Sequence, residues 1–246
     1  MTQSFSISKK FFERIFTMAK YRKNLPQLET DQIFLGEGGM MTEFFFGEET
    51  KDIEVGEGNL FFHFIRDDKI MKWSEKYYRK FMDLCLKENN EFGYIMIAFW
   101  TYKATKANVQ EHLNIEEEEW IKMNKDYVKS LNDIRLEYEK SIPNCPPILI
   151  QGLLIAKGGN GDAFSLDTKM NCDEAEEYHD GQIRALAQET QVDFICIFLV
   201  SYSEEAIGVC KAAAKYEVPI VISYTTDING RLKGGESIKV FLHKRY

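Results

Sequence analysis

"DFICIFLVSYSEEAIGVCKAAAKYEVPIVISYT", residues 193–225, decides the fold. Its two apolar runs, FICIFLV (194–200) and PIVISYT (219–225), are nearly continuous rather than alternating. A strand of that kind expects cover on both faces, as strands of a parallel sheet have. Between them SEEAIGVCKAAAKYE (203–217) reads as a helix, with Ser203 as its cap and Glu204 and Glu205 in its first turn. Strand, helix and strand in that order make one βαβ unit.

The same unit recurs upstream. Apolar runs at QIFLG (32–36), YIMIAF (94–99) and PILIQGLL (147–154) precede amphipathic stretches at 71–89, 116–141 and 172–190. In the first of these stretches Trp73, Tyr77, Phe81, Leu84 and Cys85 fall on one stripe. The order βαβαβαβαβ predicts a parallel sheet, either part of a (β/α)8 barrel with about five βα units or an open doubly wound sheet. Either way, ligands are expected at the carboxyl ends of the strands, where loops vary over a fixed frame.

A chain of 246 residues with 44% hydrophobic and 28% charged residues is ordinary globular composition. The apolar runs are too short to span a bilayer, which takes roughly 20 residues. Residues 1–27 hold six bases, Lys9, Lys10, Arg14, Lys20, Arg22 and Lys23, against Glu13 alone, which leaves 25 bases and 38 acids in residues 28–246. That acidic balance argues against nucleic acid as a partner. Residues 1–27 are therefore set apart as a basic amphipathic extension, read as a helix over one end of the domain or as a mitochondrial presequence, and 28–246 as one domain. Five cysteines, at 85, 145, 172, 196 and 210, are widely spaced and form no CxxC, which fits reduced thiols and a cytoplasmic setting.

The candidate chemistry lies at strand ends. Glu37, Gly38 and Gly39 follow the first strand: the glycines allow a sharp turn and close approach to a ligand, and a carboxylate beside them suits an ammonium group, although these residues alone read first as a plain strand-to-loop turn. Thr101 and Tyr102 follow the second strand, as pocket hydroxyls or as a cap for the next helix. KGGNGDAF (157–164) lacks the GxxxxGK[ST] phosphate pattern and reads as a loop. Cys172 and His179, seven apart, read as part of a solvated acidic helix with His179 half-buried, rather than as metal ligands. His63, His112 and His243 have no partner at ligand spacing, and GxSxG, HExxH and GxGxxG are all absent.

Four segments at these ends together resemble the homocysteine S-methyltransferase (homocysteine-binding domain) family: GEGGMMTEF (36–44), FWTYKAT (99–105), 174–209 and PIVISYTTDINGRLKGGESI (219–238). The resemblance runs from about residue 31 to 238. It implies a (β/α)8 barrel that methylates a thiol amino acid, with Glu37 holding the substrate ammonium, Gly38 and Gly39 keeping the backbone close, and Thr42 and Thr101 lining the pocket. Asp227, on the loop after the fifth strand, is a further polar candidate. Two features depart from the family: Phe198 stands where many members place a substrate-binding glutamate, and QGLLIAKGG stands for a G-x-x-G-P-like turn.

The family makes its thiolate by binding the substrate sulfur to zinc held by cysteines. None of the five cysteines falls in such a motif, so no metal site is expected in this chain, and zinc is expected in full-length members. With five units visible, the resemblance implies a C-terminally truncated barrel whose inward faces are open to water. Self-association, a partner supplying further units, collapse to a doubly wound sheet, or a fragment that folds poorly alone are the alternatives. The expected function is methyl transfer to homocysteine or a related thiol, without competence of this chain by itself. The alternatives are a zinc-less pseudoenzyme or assembly subunit that binds an amino-acid-like ligand, and an unrelated α/β enzyme.

Overall fold

In the computed structural model, residues 19–23, 25, 31–53, 67–87, 93–98, 102, 104–106, 109, 115–157, 169–188 and 190–237 are described. They form five strands and five helices: β1 Phe34–Gly36, α1 Met40–Phe46, α2 Asp68–Lys87, β2 Tyr94–Ala98, α3 Glu117–Ser141, β3 Ile148–Ile155, α4 Cys172–Ala187, β4 Phe194–Val200, α5 Ser203–Lys215 and β5 Ile220–Tyr224. All neighbouring strands pair in parallel, in the order β1-β2-β3-β4-β5. A doubly wound sheet reverses its direction of growth at a switch point. Here each strand is added on the same side as the last, and the sheet curls into a half-barrel, the partial TIM-type architecture.

The pleat sorts the strand residues onto two faces. Ile95, Ile97, Ile148, Ile150, Leu154, Ile195 and Ile197 join one core with Tyr78, Met82, Tyr127, Leu131, Ile183 and Leu186 of the helices. On the concave face Ala98, Leu153 and Cys196 form a second cluster, against which Tyr102 and Phe198 pack. The expectation of open inward faces fails at the central strands, where Ala98, Leu149, Leu153, Ile155, Phe194 and Cys196 are all buried within the chain. Curling brings side chains of adjacent strands together on the concave side, and apolar exposure remains there on the edge strand β5, at Val221.

Two helix readings need correction. On α2 the inward stripe carries Ile70, Trp73, Tyr78, Met82 and Cys85, whereas Leu84 is 56% exposed, because the helix is rotated toward Tyr78 and Met82. Ser203 does not cap α5 with its side chain: Tyr202 is the N-cap residue, and Ser203 N–H donates to the Glu236 carboxylate from the loop after β5, at 3.2 Å. The α4 N-terminus does follow capping rules, since Asn171 accepts from the backbone of Asp173 and Glu174 and the Glu174 side chain returns to Asn171 N–H.

Residues 19–23 lie against the entry end of the sheet. Tyr21 N–H donates to Asp193 Oδ1 at 2.8 Å, and the buried Arg22 guanidinium donates to the carbonyls of Ala187 and Val192. No helix among the described residues is long and apolar enough to cross a membrane.

Candidate active site

All five strands run in parallel, so their carboxyl ends form one rim, and the loops that leave it carry Glu37, Tyr102 and Asp227. At β1 the chain turns through Glu37, Gly38 and Gly39 into α1. Gly39 adopts φ +84°, a left-handed backbone that a side chain would strain, and its carbonyl accepts the N–H of Glu43 to start the helix. A Cβ at Gly38 or Gly39 would meet nothing within 4 Å, so open space adjoins this turn. Glu37 is half-buried, and its Oε2 accepts from the Tyr77 hydroxyl at 3.2 Å. The same hydroxyl lies 3.1 Å from the Gly38 carbonyl oxygen. Burial, and then the negative charge of Glu37, push the Tyr77 phenol above its ordinary range. Thr42, on α1, is exposed.

Thr101 lies outside the described residues. Its neighbour Tyr102 packs onto the concave cluster, and burial pushes its phenol up to about 12. The end of β4 is irregular: the register with β5 shifts between Ile197 and Val200, and Leu199 sits at φ +65°. A non-glycine residue there is uncommon and marks backbone held by its surroundings. In this arrangement the Phe198 carbonyl accepts from Ala156 N–H and the Val200 carbonyl from Thr225 N–H, both at 2.9 Å. Of the loop at 157–164, Lys157 alone is described.

Beyond β5, the loop 225–237 folds on itself through the bridges Thr226 with Leu232 and Arg231 with Ser237. Asp227 is exposed and organises that loop. Its Oδ1 accepts the N–H of Arg231 and of Asn229, which holds its carboxyl below the usual carboxylate range. Asp227 and Glu37 therefore share the rim but sit at the two edge strands of the sheet.

A polar cluster that sequence reasoning missed lies behind the β3 and β4 ends. His179 of α4 is 1% exposed, not half-buried, and its Nε2 lies 3.0 Å from Oε1 of Glu205, itself 0% exposed. Glu205 Oε1 also accepts Lys157 N–H at 2.7 Å, and the Tyr202 hydroxyl accepts Met170 N–H at 3.1 Å. These bonds tie the β3 and β4 ends to α4. Glu205 is the third residue of α5, where a carboxylate reads as solvated, and only the packing of α4 on α5 closes over it.

The homocysteine S-methyltransferase family model matches residues 35–245. The chain belongs to this family. The homocysteine S-methyltransferase fold is matched in solved structures as well. Homocysteine methyltransferase MmuM from Escherichia coli aligns in its metallated form with TM-score 0.68 at 16% identity, over 88% of this chain and 70% of that one. Its oxidized form gives TM-score 0.69 at the same identity and coverage. Its apo form gives 0.59 at 13% identity, over 88% and 68%. No significant match exists among curated proteins.

Family membership brings zinc into question, and the donors present do not fit it. All five cysteines are free thiols, and no two share an element: Cys85 on α2, Cys145 before β3, Cys172 at the start of α4, Cys196 of β4 on the concave face and Cys210 on α5. Burial pushes Cys85 and Cys196 up to about 11, the reverse of what a metal-ready thiolate needs. Among the described residues no group of three or more His, Cys, Asp or Glu side chains is placed to hold a metal ion.

Proposed function

We propose that this chain binds homocysteine or a related thiol amino acid at the rim of its half-barrel, as a homocysteine S-methyltransferase-type protein whose reaction is methyl transfer to sulfur. The observation that carries the reading is the Glu37-Gly38-Gly39 turn at the end of β1. A half-buried carboxylate and an exposed backbone carbonyl stand there beside open space, which suits an ammonium group. In this reading Glu37 holds the ammonium, Gly38 and Gly39 keep the backbone near it, Thr42 and Thr101 line the pocket, and Asp227 shapes the far rim.

Transfer to sulfur needs a thiolate, and a free thiol is ionised only to a few per cent at neutral pH. The five cysteines are dispersed over the fold, and burial pushes the thiols of Cys85 and Cys196 up to about 11, which does not fit a zinc site of the kind that would lower the substrate thiol's pKa. That observation favours a second reading, in which the chain binds an amino-acid-like ligand as a zinc-less subunit and does not itself methylate it.

Calorimetric titration with homocysteine tests the pocket. The wild-type protein is expected to bind, and Glu37→Ala to lose binding by roughly tenfold or more, as for a hydrogen bond to a charged group. Equal binding by both proteins removes Glu37 from the role. Mass-spectrometric detection of methylated homocysteine, run with metal analysis of the same sample, separates the readings: turnover with about one zinc per chain refutes the misfit of the cysteines, and binding without turnover supports the second reading.

A further inference from the structure

Three oxygen atoms converge at the β1 rim: a carboxylate oxygen of Glu37, the carbonyl oxygen of Gly38 and the hydroxyl of Tyr77, which lies 3.2 Å from the first and 3.1 Å from the second. Tyr77 comes from α2, forty residues beyond Glu37, and its ring is held by Trp73 at 5.7 Å and by Tyr78, edge on, at 5.8 Å. Tyr78 is in turn fixed by donating its own hydroxyl to the carbonyl of Ala98 at the end of β2. The Tyr77 hydroxyl thus has a fixed place at the turn. A Cβ built on Gly38 meets no atom within 4 Å, so the turn that carries these oxygens has open space next to it.

We propose that Tyr77 is a recognition and positioning residue of this site, whose hydroxyl completes, with Glu37 and the Gly38 carbonyl, a three-oxygen cradle for a primary ammonium group. The inference rests on the proposed amino-acid-binding function and assigns its specificity. A primary ammonium has three N–H donors, for which the carboxylate, the carbonyl and the phenolic oxygen are all acceptors. While the single Tyr77 proton is given to Glu37, the phenolic oxygen keeps lone pairs with which to accept. Of the three groups only Glu37 carries a formal negative charge to set against the ammonium. A quaternary ammonium has no N–H to offer and forgoes every hydrogen bond that the cradle gives a primary one, which disfavours it. The hydroxyl also fixes the carboxylate against the turn, so its loss affects Glu37 as well as the ligand.

The test is calorimetry of wild-type protein and Tyr77→Phe with homocysteine and with its N,N,N-trimethyl derivative, over a range of pH, with thermal melts of both proteins. Phe keeps the ring contacts with Trp73, so the melting temperature is expected to hold. Homocysteine binding is expected to weaken by roughly tenfold in Tyr77→Phe, with its acid limb moved to higher pH, and the trimethyl derivative is expected not to bind wild type. In parallel, 13C NMR of the tyrosine ring carbons in unliganded Glu37→Gln is expected to show Tyr77 ionising at lower pH than in wild type, since one of the charges opposing its ionisation has gone. A purely structural role for Tyr77 moves neither the pH profile nor the choice between amines. Wild-type affinity and an unmoved acid limb in Tyr77→Phe overturn this inference and leave the amino-acid-binding reading standing. Tight binding of the trimethyl derivative likewise overturns it. Failure of wild type to bind homocysteine overturns both.

Discussion

Asp193 is expected to be the most sensitive single side chain in the molecule outside the rim. It is fully buried at the entry to β4, where Oδ2 accepts Ile150 N–H and an Arg135 N–H, each at 2.8 Å, and Oδ1 accepts Tyr21 N–H at 2.8 Å. Arg135 is 1% exposed, and its other donors go to Asn132 and Gln191, neither of them charged. Asp193→Ala therefore strands a cation in the interior and leaves two backbone N–H groups without that acceptor. Removing one partner of a buried ion pair costs about 3–5 kcal/mol. At about 2–4 °C per kcal/mol for a chain of this size, the melting temperature should fall by roughly 6–20 °C. Urea denaturation followed by circular dichroism reads the free energy. Limited trypsinolysis at Lys20, Arg22 and Lys23 reads the release of residues 19–23. The double variant Asp193→Ala with Arg135→Met should recover part of the loss, because the stranded charge goes with the arginine. A single-variant loss under about 1 kcal/mol, the scale of an exposed ion pair, refutes the reasoning. So does a double variant less stable than Asp193→Ala alone.

Two further outcomes follow from packing. Gly208→Ala should destabilise by about 1–3 kcal/mol, the range for an overpacked core, since a Cβ there would lie 2.5 Å from the Ala175 Cβ and 2.6 Å from Cys172 O and Glu176 N, where α4 and α5 cross. A variant as stable as wild type in urea would show that the two helices separate freely. In a time course of iodoacetamide alkylation at pH 8 mapped by mass spectrometry, exposed Cys210 should react well before buried Cys85 and Cys196, whose thiols lie at about 11, and raising the pH should accelerate those two. Equal rates for Cys196 and Cys210 would refute the closed concave face.

The succession of strands along the chain and their parallel pairing were legible because the runs that form β2, β3 and β4 are apolar on both faces, as strands of a sheet covered on both sides are. Choosing between a half-barrel and a doubly wound sheet was not a matter of local pattern: it depends on which side each new strand joins, and a βαβ unit reads the same either way until its neighbours are placed. Helix α1 escaped for a different reason. In MMTEFFF only Met40 and Phe44 are buried, one turn apart, while Phe45 and Phe46 face water, so the stretch has no clear apolar stripe. Leu84 was misplaced because Phe81, Leu84 and Cys85 keep helical spacing, yet the core side of α2 is set by Tyr78 and Met82, whose neighbours lie on other elements.

Site chemistry divides along the same line. Glu37, Gly38 and Gly39 stand out from sequence as candidates because a carboxylate sits beside a glycine pair at a strand end, although the same residues also read as a plain turn. Tyr77 and Glu205 cannot, for each reads locally as something else: Tyr77 as one more aromatic on a core stripe, Glu205 as a first-turn acid that favours the helix N-terminus. What changes their meaning is a partner far along the chain, Glu37 forty residues before Tyr77 and His179 twenty-six residues before Glu205. A buried hydroxyl or carboxylate must find such a partner or leave a costly unpaired group. Glu205 meets this requirement at Oε1 alone, with His179 and Lys157 N–H, while its Oε2 is buried without a hydrogen bond, and so it becomes a tie between the ends of β3 and β4 and helix α4. Tyr77 is only half-buried, and its hydroxyl reaches the β1 turn itself, which makes a residue of the helical layer part of the rim where the ligand is proposed to bind.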